Sequence, residues 1–167
     1  MMKKAFFLLT ILLFLTAAVC RAHTMTKDDM ALFPRLALGN TLGEAKAVMG
    51  EPLRRTELKG DGIRVVIYEY AEEFTLIGRT AINDASPEDE RHIVSINMKS
   101  PSYTLGKGIA VGRKLRSVEK IYGEGEKMPT AEDGSHDVHY QLDAVTCLTL
   151  TVNKDNVITE VHLGTVF

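Results

Sequence analysis

Cysteine is nearly missing from this chain of 167 residues, which holds two, Cys20 and Cys147. Cys20 falls in an N-terminal stretch with the layout of a removable leader. Cys147 is therefore expected to stand alone in the processed protein, which excludes an internal disulfide and leaves the fold to stand on packing. Tryptophan is absent altogether. A positive excess is absent too. Removing Lys3, Lys4 and Arg21 from the 20 basic residues leaves 17 against 22 acidic ones, a net charge of −5. That balance speaks against general nucleic-acid or anionic-membrane binding. Beyond the leader, no stretch approaches the roughly 18 apolar residues of a membrane span. The glycines form no phosphate cradle: Gly106-Lys107-Gly108 lacks the longer P-loop pattern, and Gly123-Glu124-Gly125 follows a helical pattern instead of opening one.

What is present begins with an address. Met1 to Lys4 carry two positive charges, Ala5 to Val19 are apolar except for Thr10 and Thr16, and Cys20-Arg21-Ala22 offers small residues at −3 and −1. This is the layout of a secretory signal peptide over residues 1–22, with export to the periplasm or the outside as the expected consequence. Acylation of Cys20, which would anchor the chain to a membrane, is the rival reading. Val19 stands just before Cys20, where a lipoprotein signal usually has Gly, Ala or Ser.

One element is written twice. Leu38-Gly39-Asn40-Thr41-Leu42, followed by a short helical pattern ending in Gly50-Glu51, returns 73 positions later as Val111-Gly112-Arg113-Lys114-Leu115 and a pattern ending in Gly123-Glu124. An internal repeat constrains the architecture before any single residue does. Thr41 and Glu44 stand at capping-box spacing. Leu42, Ala45, Val48 and Met49 fall on one helix face, and Leu115, Val118, Ile121 and Tyr122 fall on the corresponding one. Gly50 and Gly123 supply the stops.

Strands follow in each copy. Asp61-Gly62 and Asp133-Gly134 are turn signals. Period-two patterns run through Val66-x-Tyr68-x-Tyr70, Phe74-x-Leu76-x-Gly78 and Val94-x-Ile96-x-Met98. They recur in Val138-x-Tyr140-x-Leu142, Leu148-x-Leu150-x-Val152 and Thr159-x-Val161-x-Leu163. Asn153 to Asn156 form a compact turn between the last two strands of the second copy. In the first copy that link is the acidic, aperiodic stretch from Arg79 to Arg91, expected to be a mobile surface loop. The expected fold is therefore α+β: two tandem helix–β-hairpin–strand repeats with helices on one side of an antiparallel sheet. Residues 23–35 form an N-terminal segment, 36–100 the first repeat, 101–108 a linker and 109–167 the second repeat.

This twice-written pattern resembles the tandem-repeat fold of the β-lactamase inhibitor proteins, and is similar to the single unit of the small outer-membrane assembly lipoproteins. The resemblance spans about Leu36 to Leu163 and rests on Gly39, Leu42, Gly50, Tyr68, Gly112, Leu115, Gly123 and Tyr140. It implies a binding role, since the inhibitors use an aromatic-rich concave sheet and an inserted acidic loop. No binding residue matches by motif, the inhibitors' disulfides cannot form here, and the acidic stretch Asp84 to Glu90 is a loose analogue of their loop.

Catalytic and metal-ligating patterns are weaker. His136 and His139 are three apart on a strand and point to opposite faces, whereas zinc needs its ligands to converge at about 2.1 Å. Cys147, among Val145, Thr146, Leu148 and Thr149, reads as a small strand residue with no activating neighbour. Asp28-Asp29 and Glu88-Asp89-Glu90 lack the alternating ligands and central Gly of a calcium loop. The basic cluster Lys107, Arg113, Lys114, Arg116 and Lys120 reads as a solvated helix face. No metal, cofactor or catalytic residue is expected.

The most suggestive feature is the outer face of the sheet. Val65, Ile67 and Ile77 alternate with the buried positions of the first copy, and His139, Gln141, Thr149 and Thr151 do so in the second. Apolar residues facing outward on neighbouring strands mark an interaction surface unless another element, such as residues 24–35, covers them. The expected function is an exported, non-enzymatic module of the bacterial cell envelope that docks a protein or peptide on this face. The alternative is an inhibitor of a secreted or periplasmic enzyme that uses residues 79–91, with Asp84, Glu88 and Asp89 as contacts. A small hydrolase is the third reading.

Overall fold

The computed structural model describes residues 24–32 and 36–165. The leader, Cys20 and the cleavage point lie outside the described residues. The first half contains α1 (Leu42–Met49), β1 (Arg54–Gly60), β2 (Ile63–Tyr70), β3 (Phe74–Ala81) and β4 (Ile93–Met98). The second contains α2 (Leu115–Tyr122), β5 (Glu126–Lys127), β6 (His136–Gln141), β7 (Thr146–Val152) and β8 (Ile158–Thr165). All eight strands form one sheet in the order β1-β2-β3-β4-β8-β7-β6-β5, antiparallel throughout. The protein is α+β, and the two halves meet where β4 pairs with β8.

Local chemistry sets the helix ends. The Glu44 N–H donates to Thr41 Oγ1 at 3.1 Å and the Thr41 N–H donates to Glu44 Oε2 at 2.7 Å, the reciprocal pair of a capping box. Lys114, at the matching start of α2, has no side-chain cap. Both helices stop at a glycine with positive φ, Gly50 at 83° and Gly123 at 85°. Ahead of each helix the same backbone contacts occur. The N–H of Gly39 donates to Ile93 O and that of Leu42 to Arg91 O, while the N–H of Gly112 donates to Ile158 O and that of Leu115 to Asn156 O, all within 2.8–2.9 Å. Each helix start is thus bonded to the start of the last strand of its own half.

Alternation then sorts the sheet into two faces. Val66, Tyr68, Tyr70, Phe74, Leu76, Ile96 and Met98 are buried on the inner face, as are Val138, Tyr140, Leu148, Leu150, Val152, Val161 and Leu163. Both helices cover this face. Leu42 of α1 presses against Gly78, where an added Cβ would lie 2.7 Å from Leu42 Cδ1. In α2, Leu115, Val118 and Tyr122 are buried, and Tyr140 Oη donates to Gly123 O at 3.1 Å. The N-terminal segment joins the same core through Met25, Met30, Leu32 and Leu36. Leu105 bridges to Leu32 and Ile109, so the chain between the halves is packed as well.

Four expectations need correction. Each half has four strands, not three, because Arg54–Gly60 and Glu126–Lys127 add an outer strand to each hairpin. Val48 is not a core residue but is 41% exposed. Strand β6 ends at Gln141, and Leu142 only packs against the edge of the core. The stretch after β3 is not a loose loop: Glu88–Glu90 form a 3-10 turn tied to α1 and β1.

Gly78 gives a direct test of the helix–sheet contact. Leu42 is fully buried and its side chain must shift to admit a Cβ, so Gly78→Ala is expected to destabilise the fold by about 1–3 kcal/mol, the usual cost of overpacking. Chemical denaturation of the two proteins measures it.

Candidate functional site: the open face of the sheet

The residues that alternate with the core form the opposite face. Two rows cross it. The first runs Arg54, Glu69, Thr75, Asn97, His162, Thr149, His139 and Glu126 from β1 to β5. The second runs Thr56, Ile67, Ile77, Ser95, Gly164, Cys147 and Gln141. In the first half Val65, Ile67 and Ile77 are half-buried, and Val65 pairs with Leu58, which is 54% exposed. These four make an apolar patch bounded by the Arg54–Glu69 ion pair, in which Arg54 Nε donates to Glu69 Oε1 at 2.8 Å.

The centre of the face is polar. Ser95 Oγ and His162 Nε2 lie 2.8 Å apart across the β4–β8 seam. Gly164 permits this, because a Cβ there would sit 3.0 Å from His162 Nε2. Desolvation of the ring by its neighbours lowers the His162 pKa although the residue as a whole is exposed, and the nearby Glu160 carboxylate opposes that shift. Asn97 Nδ2 donates to Glu160 Oε1 at 2.7 Å, and Lys99 Nζ lies 3.3 Å from Glu160 Oε2. On the far side Thr151 Oγ1 donates to Asp137 Oδ1 at 2.8 Å. Cys147 is half-buried on this face, between Gly164 and Gln141.

The structure therefore brings Val65, Ile67 and Ile77 together, and places His139 and Gln141 on the same face beyond β4, β8 and β7. Asp84, Glu88 and Asp89 do not join them. They lie on the helix side, because Thr80, Arg55 and Tyr68, which anchor Asp84 and Glu88, are inner-face residues. Asp84 accepts from Thr80 Oγ1 and from the Ser86 N–H. Glu88 accepts from Arg55 Nε at 2.9 Å and from Tyr68 Oη at 2.6 Å. Lys46 of α1 reaches Asp89 Oδ1 at 2.8 Å. Asp84 and Glu88 are thus held by internal hydrogen bonds on the helix side, while Arg79, at the start of the stretch, pairs with Val65 on the open face.

Sequence reasoning missed Leu58, Ser95, Asn97, Glu160 and His162. The last four occupy the alternate positions of strands whose apolar positions were readable, so their side of the sheet was implied. Their mutual pairing depends on which strands form the seam. Among the described residues no three His, Cys, Asp or Glu side chains gather as metal ligands, and no helix is long and apolar enough to cross a membrane. His136 and His139 face opposite sides, because His136 pairs with Val152 of the core and His139 with Thr149 of the open face.

The helix-side ion cluster has a clear pH signature. Hydrogen bonding to Arg55 depresses the Glu88 carboxyl from its ordinary 4.5 to about 2, against the opposing effect of burial. A carboxyl with a depressed folded-state pKa adds stability that is present above its ordinary pKa and is lost as pH falls through the folded value. Wild-type stability is expected to fall between about pH 4.5 and pH 2. Glu88→Gln should lower stability at neutral pH by about 1–3 kcal/mol and flatten that dependence, as read from urea midpoints across the range.

Comparison with known proteins adds a fold relation. No family model matches the sequence, and no curated protein gives a significant match. An extracellular protein containing a SCP domain from Bacillus anthracis is structurally similar at a TM-score of 0.50 and 13% identity. The match covers 90% of this chain and 49% of that one, so this chain spans about half its length. A DUF4309 family protein (YjgB) from Bacillus subtilis matches at a TM-score of 0.41 and 20% identity, over 75% of this chain and 78% of that one. Neither is a β-lactamase inhibitor protein or an outer-membrane assembly lipoprotein.

Proposed function

We propose that this chain is an exported, non-catalytic interaction module that docks a protein or peptide partner on the open face of its sheet, in the bacterial cell envelope or outside it. One observation carries the reading. Both helices, the described N-terminal core residues and the 82–91 loop pack on the inner face, while the apolar patch Leu58, Val65, Ile67 and Ile77 remains uncovered among the described residues. Met25, Met30 and Leu32 of the N-terminal segment belong to the core on the inner side and not to that patch. An apolar patch rimmed by charge suits a partner with apolar anchors and polar edges.

The module reads as a tandem duplication. The matched Gly-x-x-Leu starts, positive-φ stops and helix-to-last-strand hydrogen bonds of the two halves support it. The leader over residues 1–22 supports export, in accord with the extracellular description of the Bacillus anthracis protein. Acylation at Cys20 would be the route to a membrane. The Ser95–His162 contact reads as structural: Ser95 is buried, and β4 is paired on both sides, so its backbone N–H groups are committed to the sheet and are not gathered around a reacting oxygen.

The test compares the wild-type protein with an Ile67→Lys/Ile77→Lys variant as bait against envelope and secreted fractions of the source cells. A partner enriched by the wild type should lose about tenfold or more of its binding to the variant. Lys120→Glu, on α2, should retain it. Equal enrichment by wild type and the open-face variant would overturn the reading.

A further inference from the structure

The inner side of the molecule holds a separate cavity of about 370 Å³, between the end of α1, the end of β2 and the chain around Tyr103. Leu32, Leu36, Val48, Met49, Tyr70 and Tyr103 form most of its wall, and Leu53 and Glu51 stand at its rim. Its size falls in the range of small-molecule sites, which are about 300–1,000 Å³.

Two independent features point to an occupant. Leu53 is 77% exposed and Val48 is 41% exposed, so the rim presents apolar side chains to water with nothing described to cover them. Tyr70, 8% exposed, has a hydroxyl that is closed off from solvent and meets no hydrogen-bond partner. A buried hydroxyl without a partner costs about 1–3 kcal/mol. The inner-face tyrosines Tyr68 and Tyr140 both satisfy theirs, on Glu88 and on Gly123 O. Burial first, and then the Glu51 carboxylate, raise the Tyr70 pKa. The hydroxyl therefore stays protonated, within electrostatic reach of the rim residue Glu51, whose side chain is 80% exposed and held only by a 3.8 Å ion pair with Lys46.

The walls also define the chemistry. Tyr70 and Tyr103 flank the space, and the Tyr103 ring packs 4.5 Å from that of Phe74, which fixes a flat aromatic surface. Such surfaces favour another ring in offset or edge contact. The rim charge is balanced, Glu51 lying 3.8 Å from Lys46, so it favours a neutral occupant. We infer that this cavity binds a neutral aromatic molecule carrying one hydroxyl group, with the ring against Tyr70 and Tyr103 and the hydroxyl exchanging a hydrogen bond with Tyr70 Oη as Leu53 and Glu51 move aside. The site lies across the sheet from the docking face and stands or falls independently of it.

The experiment titrates the purified protein with 2-naphthol, and with naphthalene as the probe that lacks the hydroxyl, by calorimetry or probe fluorescence. Saturable 1:1 binding of 2-naphthol is expected. Tyr70→Phe should weaken 2-naphthol about fivefold, the effect of one neutral hydrogen bond, and leave naphthalene unchanged. Val48→Trp, at an exposed rim position, should weaken both probes, and Leu53→Trp serves if that variant melts early. No saturable binding to wild type, equal 2-naphthol affinity for Tyr70→Phe, or undiminished binding with the rim blocked would each overturn the inference.

Discussion

Pairing of β4 with β8 is the constraint on which the rest depends. Each strand is the last of its half, and each is bonded to the helix start of its own half through the Gly39–Leu42 or Gly112–Leu115 backbone. Joining them makes one sheet of two four-stranded units. On the inner side the seam buries Ile96, Met98, Val161 and Leu163, which link the two halves of the core. On the outer side it sets Ser95 beside His162 and Asn97 beside Glu160. Ladder, core and polar contacts thus act on the same few residues, and the two halves can behave as one body with no disulfide among the described residues.

A closed seam moves the exposed edges to β1 and β5. β5 is two residues long, and β1 carries Arg54, Arg55, Glu57 and Lys59. Short or charged edges resist pairing with a further strand. Association through the sheet is therefore directed to its face and away from edge-to-edge addition. On that face the apolar patch lies in the first half, so the proposed docking role would engage the two halves unequally.

The parts of the fold that were legible in the sequence are those written in local chemistry. The Thr41–Glu44 cap, the glycine stops and the Asp61-Gly62 turn depend on residues within a few positions of one another. Alternation also gave the correct faces for Val65, Ile67, Ile77, His139 and Gln141. β1 was invisible because Arg54-Arg55-Thr56-Glu57-Leu58-Lys59-Gly60 has one apolar residue; it is a strand because β2 offers a ladder, not because it buries a face. The anchoring of the 79–91 stretch was not legible for a related reason. Glu88 is 33 positions from Arg55 and 20 from Tyr68, and no local pattern announces that they meet.

Comparison of Tyr68 with Tyr140 explains why the insertion need not be a binding loop. Both tyrosines are buried on the inner face, and both must place a hydroxyl. In the second half Gly123 O, at the end of α2, accepts it. In the first half Glu88 does so, and the same carboxylate neutralises Arg55 and lies 3.9 Å from Arg91, a guanidinium only 7% exposed. Removing that carboxylate would strand the buried Tyr68 hydroxyl and take away the carboxylate near the buried Arg91, while Arg55 would keep Glu57 at 2.9 Å. The acidic insertion thus completes the inner side of the first half. The apolar outer side of that half is left without any described intramolecular cover, which is the feature the proposed docking role draws on.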